Sequence, residues 1–291
     1  MKRISLLLLT LLAAVASQAA LLWKVTAPGC DKSSYILGSH HLAPASTLDA
    51  YPMLDSILTA SEMMVCELSA DEMNNPALAS YLQTRMMAPA DSTLSKVLNP
   101  TTYATLDSLL QHYGLGSAAA YEPMNPMAVG TVIEVFTLMK EMPELMTSVG
   151  VDKSMMALAT AAGKNVTGLE TVERQAEILY GMPISEQAAA LEKLLSSPSE
   201  ITGKSREMYD LYSAGDIDGL YALTHSSMTP EEERRLLTDR NSHWVNFLLT
   251  LLPTSSVMIV VGAGHLGGPQ GLLQLLRDNK YEVTPISPNA L

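Results

Sequence analysis

One short pattern occurs twice in this chain, near its two ends, each time after a run that reads as a strand. Gly38-Ser39-His40-His41 follows the extended run Tyr35-Ile36-Leu37, and Gly262-Ala263-Gly264-His265 follows Val257-Met258-Ile259-Val260-Val261. Both read G-x-x-H. The ends of strands are where an open α/β sheet displays its working residues. A glycine at that point lets the backbone turn sharply, so that the histidine faces a cleft. Two such histidines, His41 and His265, would supply half of a metal site if one sheet brings them together.

The rest of the chain reads as α/β, with a central mixed sheet and a large helical insertion or cap. Leu22 to Thr26 and Tyr35 to Leu37 flank Pro28-Gly29 as a hairpin. Thr47 to Ala60 reads as a helix and Met63 to Leu68 as a short buried strand. From about 75 to 162 the pattern is mainly helical, broken at Pro89, Pro100, Gly114 and Pro143, and Val151, Met155, Leu158, Ala159 and Ala162 share one helical face. Lys164 to Leu169 is a strand, Thr171 to Tyr180 opens a helix, and further helices fill Ser185 to Leu252. Val257 to Val261 and Tyr281 to Ile286 complete the sheet. No Gly/Ser-rich linker divides the chain, so residues 20–291 are expected to form one domain that contains the insertion.

Two carboxylates join the histidines at predicted strand ends. Glu67 follows Met64-Val65-Cys66, and Glu170 follows Val166-Thr167-Gly168-Leu169. If the strands are parallel, His41, Glu67, Glu170 and His265 line one edge of the sheet. Imidazole with carboxylate suits zinc, manganese, iron or cobalt, and the ligand types alone do not choose among them. A His/His/Glu set with an open position is a catalytic arrangement. Glu170 has a second reading, as a cap for the helix that follows it. Arg240 also stands out. Thr229-Pro230-Glu231-Glu232 has capping-box spacing with proline in the first turn. The helix so opened sets Leu236, Arg240 and Trp244 on one row. An arginine on an apolar row either pairs with a buried carboxylate or faces a cleft, where it would steady a substrate carboxylate or oxyanion.

The second motif continues as Leu266-Gly267-Gly268-Pro269-Gln270-Gly271 into the amphipathic run Leu272 to Arg277 and the closing strand. Pro269 suits a first helical turn. Over this segment, and from about Leu22 to Ile286 as a whole, the chain resembles the TraB/GumN family, which includes Tiki-type metalloproteases. Members carry paired G-x-x-H motifs with a glutamate between them. The resemblance places the motif glutamate at Glu67, matches Gly168-Leu169-Glu170-Thr171 to a family segment, and matches Arg240-Asn241 to the family's Arg-Asn pair. It implies a divalent ion (manganese, cobalt or zinc) on His41, Glu67 and His265, and cleavage of a peptide or small amide. Glu170 would take a proton and Arg240 would stabilise developing charge. H-E-x-x-H is absent, so this is not the usual helical zinc-protease pattern. A reading from another class keeps the same residues as a periplasmic haem- or metal-binding site without turnover, by analogy with ChaN-like haem-binding proteins.

The remaining features bound these readings. Lys2 and Arg3 precede the apolar run Ile4 to Ala16, and Ser17-Gln18-Ala19 fits a small-x-small cleavage site. Residues 1–19 are thus expected to be a secretory signal peptide and the product to be secreted or periplasmic. No later stretch reads as a membrane span; Pro126 to Met139 is apolar but short, and reads as a buried helix or cleft wall. A net charge of −12 argues against nucleic acid as partner. Cys30 and Cys66 are the two cysteines, and an oxidising compartment permits a bridge between them that their spacing does not establish. Eighteen methionines stand against two phenylalanines. Met139, Met142 and Met146 have roughly helical spacing, which reads as core or adaptable cleft lining in preference to a copper site. His40 reads as a supporting or surface residue, and His112, His225 and His243 have no motif context. The oligomeric state is not written in the sequence.

Overall fold

The computed structural model describes residues 19–143, 145 and 149–289. The expected leader therefore lies outside the described residues except for Ala19, and so does Met146. Six strands form one mixed sheet: β1 (Leu22–Thr26), β2 (Ser33–Ser39), β3 (Met63–Cys66), β4 (Asn165–Gly168), β5 (Val257–Gly262) and β6 (Glu282–Ile286). Their order across the sheet is β4-β3-β5-β2-β1-β6. The hairpin β1–β2 is antiparallel with Leu22 opposite Leu37, and β6 adds antiparallel to the outer side of β1. β2, β5, β3 and β4 are mutually parallel neighbours. Their C-terminal ends consequently lie along one edge, as the strand-end reading required.

β5 sits at the centre, and Val257 to Val261 are buried at every position. That explains its unbroken apolar run: a strand covered on both faces has no solvent side to mark with polar residues. Gly38 in β2 pairs with Val261, and Ser39 pairs with Gly262. The two motifs are thus adjacent and nearly in register. Neither motif glycine needs a left-handed backbone, contrary to the expectation of a sharp glycine turn. Gly262 has φ −52, and Gly38 owes its identity to close approach. A Cβ there would lie 2.8 Å from Leu266 Cδ1 and 3.1 Å from Ala263 Cβ. Gly38→Ala is therefore expected to destabilise the protein by about 1–3 kcal/mol, the usual scale of overpacking, as read by chemical denaturation. An unchanged denaturation midpoint would show that the second motif shifts freely away from the first.

The sheet core takes in α1 (Leu54–Ala60), Val151, Met155 and Ala159, Trp244 and Leu248, and Leu272, Leu273 and Leu276. A second core lies within the helices. It joins α2 (Pro100–His112), α3 (Pro126–Glu141) and α5 (Ile184–Ser196) through Leu106, Leu110, Val129, Ile133, Leu191 and Leu195. Each such side chain contributes about 1.5–3 kcal/mol by leaving water. The apolar run from Pro126 is thus a buried helix, with Pro126 in its first turn and Asn125 capping it through Ala128 N–H. Leu138, Met142 and Leu145 pack with Leu42 and Tyr209, which ties the helical layer to the loop after β2. Met64, Met142, Met155 and Met258 are buried among apolar neighbours, as gap-fillers are. Among the described residues no helix is long and apolar enough to cross a membrane.

Three local expectations differ from the structure. The helix foreseen over 47–60 is split into a 3₁₀ stretch, Ala45–Ala50, and α1. Pro52 causes the break, because it lacks an N–H and forces Tyr51 out of the helical region, to φ −125 and ψ 70. Pro269 lies in a turn, and the last helix begins only at Leu272, behind Gly271. Thr171, not Glu170, caps the helix that follows β4, through its hydroxyl and Arg174 N–H. The capping box at Thr229 and Glu232 is present with Pro230 in its first turn. Cys30 and Cys66 are free thiols, and burial pushes Cys66 up to about 12.

Candidate active site

The strand-end carboxylates are held side by side by backbone pairing that runs past the strands. Leu169 N–H donates to Cys66 O at 2.8 Å, and Glu170 N–H donates to Glu67 O at 3.0 Å. From the other neighbour of β3, Gly262 N–H donates to Glu67 Oε1 at 3.0 Å. Glu67 is thereby fixed to the first glycine of the second motif. Gln175, one turn into α4 (Val172–Tyr180), donates to Glu67 Oε2 and to Glu170 Oε1, both at 3.2 Å.

Arg240 joins these carboxylates. It lies in α6 (Asp239–Leu251), directly after a π-helical turn at Arg234–Thr238. Its Nε donates to Glu170 Oε2 at 3.2 Å and its Nη2 to Glu170 Oε1, a two-point pairing of planar groups. Nη2 also donates to Glu67 Oε2 at 2.7 Å. Nη1 donates to Leu236 O at 3.2 Å and to His265 Nε2 at 3.1 Å. A guanidinium has five N–H donors, and all of them are engaged. Of the two roles open to Arg240 from sequence, the geometry matches pairing with buried carboxylates; in this arrangement no donor is left for a substrate oxyanion. Glu170 likewise has both oxygens occupied, and its side chain is fully shielded from solvent.

His265 lies in a 3₁₀ turn at the end of β5. Asn241, next to Arg240, accepts from its Nδ1–H at 2.7 Å and donates to His265 O and Gln270 O at 3.3 and 2.8 Å. Arg240 only donates, so Nε2 carries the lone pair and Nδ1 the proton. Burial pushes His265 down to about 3, which keeps the ring neutral. Trp244 lies against both residues, with its ring 4.4 Å from the His265 ring and 4.7 Å from the Arg240 Cζ. Burial alone would raise the Glu67 carboxyl; the adjoining Arg240 guanidinium and the Gly262 N–H hold it below its ordinary value.

His41 stands at the rim of this cluster, with 76% of its side chain exposed. Its Nδ1 lies 2.9 Å from Asp152 Oδ2, and that hydrogen bond raises it to about 9. His40 points away. It packs near Tyr212 and Tyr209, accepts from Leu42 N–H, and is driven down to about 4 by burial. His112 and His225 pair with Lys140 and Glu233 elsewhere, and His243 is exposed.

The structure thus gathers Glu67, Glu170, Arg240 and His265 and leaves His41 at their edge. Among the described residues no three His, Cys, Asp or Glu side chains are drawn together tightly enough to hold an ion. The His265 lone pair that would bind one is held by Arg240. The donor set nevertheless fits a divalent ion in kind and in charge. Two imidazoles have Nδ1 committed to another side chain, as metal-binding histidines do. Two carboxylates face one guanidinium, so the buried cluster is short of positive charge. Asp152, Gln175 and Ser39 join the site without a local sequence signal for it. Asp152 is an acid in a helical first turn, which reads as a dipole partner, and Ser39 is an unspecified position of the motif. Asn241 was visible only as a partner of Arg240.

The family described as TraB/PrgY/gumN matches residues 21–285. Metalloprotease TIKI2 of Danio rerio is 24% identical over 324 aligned residues, which cover 92% of this chain and 61% of that protein. The chain therefore spans less than two thirds of the length of this relative. No solved structure matches it.

Proposed function

Given that the chain belongs to the TraB/PrgY/gumN family, we propose that it is a metal-dependent hydrolase that cleaves peptide or amide bonds outside the cytoplasm. One observation carries the reading: a buried Glu67–Glu170–Arg240–His265 cluster at the C-terminal edge of four parallel strands, with His41 at its rim. The weak similarity to a protein named a metalloprotease supports it. His41, Glu67 and His265 would hold the ion, whose chemistry is to acidify a bound water and polarise a carbonyl. The protein's own part is positional. Gly262 N–H and Arg240 fix the two oxygens of Glu67, and Asn241 fixes the tautomer that presents His265 Nε2. Glu170 anchors Arg240; being shielded, it serves the site by holding that cation in preference to exchanging protons with a cleft.

The test is peptide-library cleavage with added manganese, cobalt or zinc, scored by mass spectrometry against His41→Ala. New fragments from the wild type alone are expected. Identical digests under every metal would replace hydrolysis by binding without turnover, and a Soret band in purified protein would identify the ligand as haem.

Export is part of the same proposal. The Ala20 N–H donates to Gly215 O at 2.9 Å, a bond that an N-terminal ammonium at Ala20 would keep. N-terminal sequencing of material recovered from outside the cytoplasm is expected to begin at Ala20 or close by. A cytoplasmic product that retains Met1 would refute it.

A further inference from the structure

We propose that Asp152 is the positioning residue for His41, and that with Ser39 it selects His41 Nε2 as the ring atom offered to the site. Asp152 lies in the first turn of the helix Val151–Ala161, far along the chain from the first motif. Its Oδ1 accepts from Ser39 Oγ at 2.5 Å and its Oδ2 from His41 Nδ1 at 2.9 Å. One carboxylate therefore spans two residues of the G-x-x-H motif, and only 23% of it is exposed. The backbone registers this contact. Pro44 forms a bridge with Gly150, and Ala45 N–H donates to Val149 O at 3.1 Å. A Cβ on Gly150 would lie 2.0 Å from His41 O, so only glycine lets the helix start this close to the motif.

The physical need follows from exposure. His265 is buried, packed on Trp244 and fixed by Asn241. His41 has little packing to hold it, and an exposed imidazole samples several rotamers and both ring faces. The Asp152 carboxylate removes that freedom by accepting from Nδ1, which leaves Nε2 as the unbonded ring nitrogen. Each motif histidine is thus oriented by a residue from outside its own motif: Asn241 for the second, Asp152 for the first. The end of the helical insertion sets the first histidine, and the strand that carries it does not. The positioning stands on this geometry; only the use made of Nε2 rests on the hydrolase reading.

Two measurements separate the two. In ion-free protein, three-bond couplings in isotope-labelled samples report the His41 χ1 angle. Wild type is expected to hold one rotamer and Asp152→Ala, which removes the acceptor, to average over several. A single unchanged rotamer in Asp152→Ala would overturn the proposal. Cobalt affinity by calorimetry is expected to fall about 10–100-fold in Asp152→Asn, the scale for losing a carboxylate behind a metal-binding histidine. In the His41→Ala background the same change is expected to alter affinity by no more than about twofold; a full loss there would show that Asp152 does not act through His41. Asp152→Glu, which keeps the carboxylate, is expected to restore part of the affinity. Wild type that binds no cobalt would remove the hydrolase reading and leave the rotamer experiment to decide the positioning. If Asp152→Ala does not fold, Ser39→Ala, which removes one of the two anchors of the carboxylate, is read by the same couplings with the same criterion.

Discussion

Arg240→Leu is expected to cost about 3–5 kcal/mol of stability, the scale for removing one partner of a buried ion pair, and to lower Tm by roughly 10 °C. The reason lies in what remains behind. Among the described residues Arg240 is the one cation paired with Glu67 and Glu170, and the Glu170 side chain has no exposure to water. Without the guanidinium, Glu170 keeps, among the described residues, one side-chain hydrogen bond, from Gln175, and no cation partner. A buried uncompensated carboxylate is far costlier than an apolar pair of the same volume. The double variant Arg240→Leu/Glu170→Gln is therefore expected to regain part of the loss, because the second change removes the stranded charge. Thermal and chemical denaturation of ion-free protein measure both variants. A double variant less stable than the single one would show that the loss comes from packing on Trp244 and not from charge.

Glu67→Gln is expected to abolish turnover and to strip the bound ion, with cleavage at least ~100-fold below wild type, the scale for losing a group that acts on the reacting centre. The substitution keeps size and changes two things. The side chain loses the charge that binds a cation. Its amide nitrogen must also face donors on one side or the other, because Gly262 N–H points at Oε1 and Arg240 and Gln175 point at Oε2. Glu67 is built to accept at every lone pair it directs at the protein, and glutamine cannot. Metal content after dialysis, read by elemental mass spectrometry alongside the peptide-cleavage rate, decides the matter. A Glu67→Gln protein with wild-type metal content would remove Glu67 from the ligand set, whatever its rate.

The strands were legible because their burial is local in origin. Val257 to Val261 must be apolar throughout to lie in the middle of a sheet covered on both faces, and that requirement is written residue by residue. The capping box at Thr229 was readable for the same reason, since two residues three apart, Thr229 and Glu232, satisfy each other's backbone N–H groups. Over 47–60 the periodic pattern gives one helix, but one proline outweighs it. The motif glycines stand out in the sequence, but the reason for them does not. Gly38 makes room for Ala263 and Leu266, which lie far along the chain, and no local rule shows a neighbour that distant.

The site divides along the same line. Strand-end position is a local property, so His41, Glu67, Glu170 and His265 could be chosen as one set, and an arginine on an apolar row announced a need for partners. What each one touches is a long-range property. That Arg240 spends all its donors on the protein, that Asp152 stands behind His41, and that His265 is buried while His41 lies open depend on which elements the fold packs against them. The sequence by itself determined the α/β class, the two motifs and the residue types at the sheet edge, because periodicity and capping act between near neighbours. Only the tertiary structure decided how those residues share protons, charge and shielding, because hydrogen bonds and desolvation act through space between segments that the chain keeps far apart.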